Sequence, residues 1–313
     1  MVYFSFSKQL LENFYCSNCS GKVGLFYNKY YFLKCRNCDY CFALHKLVFS
    51  GKEILVPDLR KAVGKKFKGK KIKIVKPYNG HVTKFKDFPI AATFVYGIIN
   101  EVLNELGYKK NIIDMGSGDN RFLSFTNKEK DIVSFDIRLY DKYYSPVNFF
   151  ASAEKVPLGN NLFDVALSNF VLQHVDNQEN YLGEAYRLLR KGGFMIVSVP
   201  SPAWYVAYFI SPTSYSKYFN CISLDFVGFI KNPVKHFLHN NSHGNKKNAF
   251  TREFYLFSDN YYTSLFDKIG FKKVKLVKSC NVFSLYKRYA FISKIFSNGS
   301  PLIPIHYTYV LRK

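Results

Sequence analysis

From Phe94 the apolar residues Val95, Ile98, Ile99, Val102, Leu103 and Leu106 recur on one helical face and Gly107 follows, so an amphipathic helix is predicted there. Beyond it, short apolar runs alternate with helical stretches. Ile112-Ile113 enters a glycine-containing loop, and Ile132-Val133-Ser134-Phe135-Asp136, Phe163-Asp164-Val165-Ala166-Leu167 and Phe194-Met195-Ile196-Val197-Ser198-Val199 read as strands. A helix before the last of these takes Asp176 as its cap with Glu179 three positions on. It sets Leu182, Ala185 and Leu189 on one side and stops at Gly192. Strands alternating with helices predict βαβ units and a mostly parallel sheet. After Pro200 the rhythm breaks, and residues 201–249, rich in Tyr, Phe, Ser and Asn with Pro202, Pro212 and Pro233, read as an insertion of short helices and loops. A helix capped at Ser258 then carries Tyr262, Leu265, Phe266 and Ile269 and closes at Gly270. Two strands end the pattern, one alternating Val274 and Leu276 with lysines, the other alternating Ile305, Tyr307, Tyr309 and Leu311 with His306, Thr308, Val310 and Arg312.

With 313 residues, 48% apolar and 19% aromatic, the chain has material for one large α/β domain and a smaller module, which excludes global disorder. It has no run of about 18 apolar residues. Its start lacks the basic-then-apolar layout of a secretory signal, so a cytoplasmic protein without a transmembrane segment is expected. A net charge of +23 adds the expectation of an anionic partner: RNA, an acidic membrane surface contacted peripherally, or a phosphorylated carrier. Against this stands a plain solvated lysine surface. From Arg60 to Lys76 nine basic residues occur with no acidic one, which reads as an exposed linker that could bind anions. The expected organisation is therefore a small module over 1–59, a basic linker over 60–89 and the α/β domain over 90–313.

Five of the seven cysteines fall in the first module. Cys16-Ser17-Asn18-Cys19 and Cys35-Arg36-Asn37-Cys38 form two CxxC knuckles fifteen residues apart, the spacing of a four-thiolate zinc ribbon. Cys41 is an alternative fourth ligand. Four thiolates leave no open coordination position, so the expected zinc is structural.

In Asn111-Ile112-Ile113-Asp114-Met115-Gly116-Ser117-Gly118-Asp119-Asn120 small residues stand where a buried strand turns into a helix, letting backbone approach a ligand. Asp136, twenty-two residues after Asp114 and followed by Ile137, ends the next apolar strand, where an acid can accept from both hydroxyls of a ribose. Asn120 replaces the third glycine typical of pyrophosphate-binding loops. The segment 111–200 resembles the class I S-adenosylmethionine-dependent methyltransferases, in particular the family that includes ubiquinone and menaquinone biosynthesis enzymes. The motifs that carry the resemblance are Ile113 to Gly118, Phe135-Asp136, Ala153-Glu154-Lys155-Val156-Pro157-Leu158, Phe163 to Val175, and Leu188-Leu189-Arg190-Lys191-Gly192-Gly193-Phe194. It implies a Rossmann-like, seven-stranded, mostly parallel sheet with helices on both faces, and S-adenosylmethionine as cofactor. By the same resemblance Gly116 and Gly118 face the methionine part, Asp136 holds the ribose, Ala153 and Glu154 lie beside the adenine, and Asn169 and Phe170 close the site under the sulfonium, with Asp114, Ser117 and Ile137 as further cofactor-binding residues. Ser152 stands where the family often has an aspartate.

The acceptor is read separately. No Asn-Pro-Pro-aromatic or Asp-Pro-Pro-aromatic string of base-methylating enzymes occurs, and Ser168-Asn169-Phe170-Val171 stands in its place. The aromatic insertion, with Trp204, Tyr205, Tyr208 and Phe209, falls where such enzymes build a substrate cover. A hydroxylated glycan, lipid-linked or other small acceptor is the preferred reading. RNA gripped by the ribbon and basic arm is the second, and a noncatalytic binding module the third. Because alignment with an activated methyl group supplies much of the rate, a base is optional. His243, Glu253 and His174 are the candidates for one.

Overall fold

The structure is a computed structural model that describes residues 12–16, 19–28, 30–38, 41–49, 52–55, 90–107, 111–118, 122, 132–137, 147–204, 250–281 and 304–313. The basic linker, Asn120, His243 and nearly all of the aromatic insertion lie outside them.

The strands are β1 (Val23–Asn28), β2 (Tyr30–Cys35), β3 (Cys41–Phe49), β4 (Lys52–Leu55), β5 (Ile112–Met115), β6 (Ile132–Asp136), β7 (Val147–Phe150), β8 (Phe163–Asn169), β9 (Leu189–Pro200), β10 (Lys272–Asn281) and β11 (Pro304–Arg312). The helices are α1 (Ile90–Glu105), α2 (Gln178–Leu188), α3 (Phe250–Leu256) and α4 (Asp259–Ile269), and a 3-10 turn spans Leu172–His174. The sheet order is β1-β2-β3-β7-β6-β5-β8-β9-β11-β10, with β4 on β3. From β7 to β9 every pairing is parallel. β11 runs antiparallel to both β9 and β10. Strand order reverses beside β5, whose neighbours are β6 on one side and β8 on the other. A ligand crevice is expected outside the carboxyl ends of these strands.

Continuous apolar runs make the central strands because they are covered on both faces. Every residue of β5 and β6 is buried. Ile113, Val133, Ala166 and Val197 pack with Tyr181, Leu182 and Ala185 of α2 and with Tyr262 and Phe266 of α4. On the opposite face Ile112, Ile132, Val165 and Ile196 meet Val95, Ile99, Val102 and Leu103 of α1. The helical stripe read from the sequence is thus the packed face of α1.

Two boundaries differ from expectation. The cap of α2 is Asn177, whose side chain accepts from the Asn180 amide at 3.0 Å; Asp176 sits one residue outside. The helix also stops earlier: Leu189 leaves it to pair with Phe163 at the start of β9, and Gly192, at φ 77°, lies within that strand. At α4 the expected signals hold, with Ser258 accepting from the Tyr261 amide at 3.2 Å and Gly270 left-handed at φ 101°. In β11 the alternation does not separate a wet face from a dry one, since His306 and Thr308 are as buried as Tyr309 and Leu311. A strand between two others with helices on both sides has no wet face.

The N-terminal module joins the same sheet. β1, β2 and β3 form an antiparallel meander, and β3 pairs with β7 through Leu44↔Phe149, Lys46↔Asn148 and Leu47↔Val147. Ahead of it, Phe14 is buried edge-on against Phe149, with ring centroids 5.1 Å apart.

Candidate functional site

The glycine loop sits at the carboxyl end of β5. Gly116 and Gly118 adopt φ of 79° and 58°, where side chains with a Cβ are strained. The amides of Gly116 and Ser117 donate to the Phe135 carbonyl at 2.9 and 3.0 Å, and the Gly118 amide donates to Asp136 Oδ2 at 2.8 Å. The loop is therefore tied to the tip of β6, and the acid read as the ribose holder is itself a brace for the loop. Each carboxylate oxygen has two lone pairs, so this bond leaves accepting capacity. Ile137, the next residue, is 58% exposed, an apolar surface beside the acid.

Asp114, buried at the end of β5, is pushed up to about 7 by burial and then by the nearby Asp136 charge. In the folded state its pKa is raised, so its contribution to stability is full below the unfolded value near 3.8 and is lost as pH rises through about 7. Asp114→Asn is accordingly expected to flatten the fall in melting temperature of the free protein between pH 5 and pH 8. An unchanged slope in that window would show that Asp114 does not titrate there. Tyr181 stays a phenol, held up mainly by burial, and its hydroxyl donates to the Met115 carbonyl at 3.2 Å.

The segment from Ala153 to Leu158 is held from two sides. Glu184 of α2 accepts from the Val156 amide at 2.6 Å, and Arg187 donates to the carbonyls of Val156 and Leu158 at 3.0 and 2.6 Å. From the N-terminal module Tyr15 donates its hydroxyl to the same Val156 carbonyl at 2.8 Å. The Glu154 carboxylate accepts from the Asp176 and Asn177 amides at 2.9 and 3.1 Å. Its charge serves the start of α2. Ser152 accepts from the Glu154 amide at 3.3 Å, a local turn contact.

Beyond β8 the chain turns sharply. Phe170 is left-handed at φ 54°, its amide donating to the Ser198 carbonyl at 2.9 Å. A Cβ on Gly116 would stand 2.7 Å from both methyls of Val171, so the post-β8 turn packs directly on the glycine loop. In this turn Asn169 Oδ1 and both amide atoms of Gln173 are buried with no hydrogen-bond partner among the described residues. Gln173, 3% exposed, was not singled out by sequence reasoning. The signal was an amide directly after the apolar run Phe170-Val171-Leu172. An unsatisfied buried amide costs about 1–3 kcal/mol. Gln173→Leu should therefore raise the melting temperature of the free protein while weakening ligand binding; a lowered melting temperature would mean that the protein itself satisfies the amide.

Of the three base candidates, His174 is exposed and ends the 3-10 turn. Glu253 lies on α3, its side chain outside the described residues, as is His243.

At the other end of the module, the sulfurs of Cys16, Cys19, Cys35 and Cys38 all lie within 4.8 Å of one another. Cys16 and Cys38 are 3.5 Å apart, as are Cys19 and Cys35. A tetrahedral zinc with Zn–S bonds of about 2.3 Å spaces its sulfurs about 3.8 Å apart, so the donor set fits that ion. The Asn37 amide donates to Cys35 Sγ at 3.3 Å. A Cβ on Gly21 would stand 2.6 Å from the Asn37 side-chain amide of the opposite knuckle, so the two knuckles approach closely there. The Gly21 backbone bond acts to lower the pKa of Cys19, but side-chain hydrogen bonds that keep its thiol protonated, with Cys38 first and then Cys35, outweigh it and push Cys19 up to about 12. The backbone of Cys41 opens β3; its side chain lies outside the described residues.

The sequence signature of a methyltransferase domain matches residues 91–276, well over half the chain and the stretch that carries the loop, the acid and the post-β8 turn. The chain belongs to the methyltransferase domain family. It is an S-adenosylmethionine-dependent methyltransferase. Among solved structures, the methyltransferase is similar to an S-adenosylmethionine-dependent methyltransferase of Thermotoga maritima, described as a possible histamine N-methyltransferase. The two share 20% identity at a TM-score of 0.40, over 70% of this chain and 89% of that one. It is also similar to the 1,6-didemethyltoxoflavin-N1-methyltransferase of Burkholderia thailandensis, with 15% identity and a TM-score of 0.42 over 71% and 78%. A third is an S-adenosylmethionine-dependent methyltransferase of Archaeoglobus fulgidus, with 13% identity and a TM-score of 0.39 over 70% and 94%. No curated protein matches the chain. No helix among the described residues is long and apolar enough to cross a membrane.

Proposed function

We propose that the methyltransferase transfers a methyl group to a hydroxylated glycan, lipid-linked or other small acceptor, and that it is of the class I family that includes the ubiquinone and menaquinone biosynthesis enzymes. The observation that carries the cofactor half of this reading is the bond from Gly118 to Asp136, which sets a carboxylate beside a backbone loop at the strand-order reversal. In this reading the core is the seven-stranded Rossmann-like sheet β7-β6-β5-β8-β9-β11-β10 over 90–313, preceded by a ribbon over 1–59 and a linker over 60–89. Gly116 and Gly118 face the methionine part; Asp136 holds the ribose; Ala153 and Glu154 present backbone to the adenine; Asn169 and Phe170 close the site; and Asp114, Ser117 and Ile137 complete the cofactor-binding set. S-adenosylmethionine, once bound, supplies a methyl group already activated on a sulfonium. The protein's part is to align it and exclude water, with His243, Glu253 and His174 as candidates for holding a proton.

The acceptor half rests on the Ser168-Asn169-Phe170-Val171 string; Asn169 Oδ1 there and the Gln173 amide two residues beyond it are buried polar groups that suit a small polar ligand. Full-length protein incubated with labelled S-adenosylmethionine should label glycan and lipid extracts and leave total RNA unlabelled. Label confined to RNA would overturn the acceptor reading.

The Cys16, Cys19, Cys35 and Cys38 cluster is the proposed structural zinc site. Purified protein is expected to carry about one zinc per chain and Cys35→Ser much less, with a lowered melting temperature. Absence of metal from gently purified wild type would count against zinc.

A further inference from the structure

Tyr15 immediately precedes Cys16, the first cysteine of the ribbon, yet its hydroxyl donates to the Val156 carbonyl of the α/β domain at 2.8 Å. Residues 13–15 run antiparallel to residues 157–159. The Tyr15 amide donates to the Pro157 carbonyl at 3.1 Å, Phe14 bridges Leu158, and the Gly159 amide donates to the Asn13 carbonyl at 2.9 Å. On its other side Tyr15 bridges Lys22, whose carbonyl accepts from the Arg36 amide at 3.0 Å. Arg36 lies inside the second knuckle, and the Gly21 carbonyl, one residue before Lys22, accepts from the Cys16 amide at 2.9 Å. An unbroken line of backbone contacts thus runs from both knuckles through Tyr15 to the turn before β8.

That turn begins at the acid read as the ribose holder. After β7 the Ala151 amide donates to the Asp136 carbonyl at 3.2 Å, so the chain enters the Ala153–Leu158 segment from beside Asp136. At Val156 both backbone polar groups are engaged, the amide by Glu184 and the carbonyl by Arg187 and Tyr15 together. A carbonyl has two lone pairs, so Tyr15 takes the second place at an acceptor that Arg187 already serves. Satisfying the carbonyl does not require that hydroxyl, and the Phe14 ring, buried on Phe149, already anchors the segment. What the second bond adds is order in the turn before a ligand arrives, and a site ordered in advance loses less freedom on binding. We propose that Tyr15 is a positioning residue for the nucleoside end of the cofactor, the link through which the cysteine knuckles hold that end of the site in shape. The proposal rests on the cofactor and zinc readings above.

Full-length, zinc-loaded protein is titrated calorimetrically with S-adenosylhomocysteine and with adenosine, well below its melting temperature. Tyr15→Phe keeps the ring and the backbone bonds and loses only the hydroxyl. It should bind both ligands about fivefold more weakly, the worth of one net hydrogen bond, with zinc content and melting temperature close to wild type. Affinity equal to wild type, whatever happens to the melting temperature, would make the bond purely structural and overturn the proposal. So would a loss confined to S-adenosylhomocysteine, which would put the effect at the methionine end. Stripping zinc from wild type with a chelator should weaken S-adenosylhomocysteine binding, and adding zinc back should restore it. The same treatment should affect Tyr15→Phe less, because the link is already cut. An equal effect in both would mean that the knuckles act by another route, which overturns the link. Should the variant fold poorly, the wild-type arm decides alone, and binding untouched by chelation would overturn the proposal. Wild type that binds neither ligand would overturn the cofactor reading, wild type that holds no zinc the zinc reading, and either takes this inference with it.

Discussion

Asp136→Ala is expected to weaken S-adenosylmethionine binding at least about a hundredfold, because the proposed ribose contact would lose two hydrogen bonds to a charged group at roughly 1.5–3 kcal/mol each. The same substitution deletes the acceptor for the Gly118 amide, so part of the loss would come from a loosened loop. Asp136→Asn separates the two contributions. An asparagine still offers an oxygen to Gly118 and should keep the fold's stability near wild type, but it lacks the charge and one of the two acceptor oxygens that a diol uses. Calorimetry on both variants decides: an Asp136→Ala protein that binds as wild type would sink the assignment of the ribose site.

The second large effect lies at Gly116. Alanine there must adopt φ near 79° and place its Cβ 2.7 Å from both Val171 methyls, so either the loop or the post-β8 turn has to move. The backbone strain alone is about 1–3 kcal/mol, before any cost of displacing Val171. Gly116→Ala should therefore lower the denaturation midpoint clearly and impair cofactor binding. Adding Val171→Ala should return the steric part and leave the backbone part. A single variant as stable as wild type would show that the loop has a second conformation in which position 116 is relaxed.

How much of this was legible beforehand depended on whether a residue's role is set locally. The runs ending in Asp114 and Asp136 announced buried strands because each is covered on both faces, and the Gly116 turn needed glycine for reasons a sequence displays. Capping was legible to within one residue. Asp176 and Asn177 both have the chemistry, and only the backbone angles at Asn177, φ −125° and ψ 100°, decide between them. Leu189 read as helix because its periodicity was right, yet pairing with Phe163 drew it into β9, a tertiary effect without local signature. His306 was passed over because alternation in β11 puts it among polar positions, which a lone strand would expose. Burial follows only from the placement of β11 between β9 and β10. Gln173 was missed for the same reason in miniature, since nothing local tells a solvated amide from one sealed under a turn. Nor does any motif announce that Tyr15 and Phe14 reach Val156 and Phe149, contacts more than a hundred residues apart along the chain.

That last arrangement bears on how the protein can be cut. The pairing of β3 with β7 covers what would otherwise be the outer edge of the sheet, and Phe14 shields the Phe149 ring beneath it. A shortened chain starting at α1 would keep every residue of the family match yet present β7 as an open row of backbone donors and acceptors. Exposed strand edges of this kind recruit strands from other molecules. Removing the cysteine-bearing module would uncover β7, and the shortened chain is expected to elute with a larger aggregated fraction than the intact one.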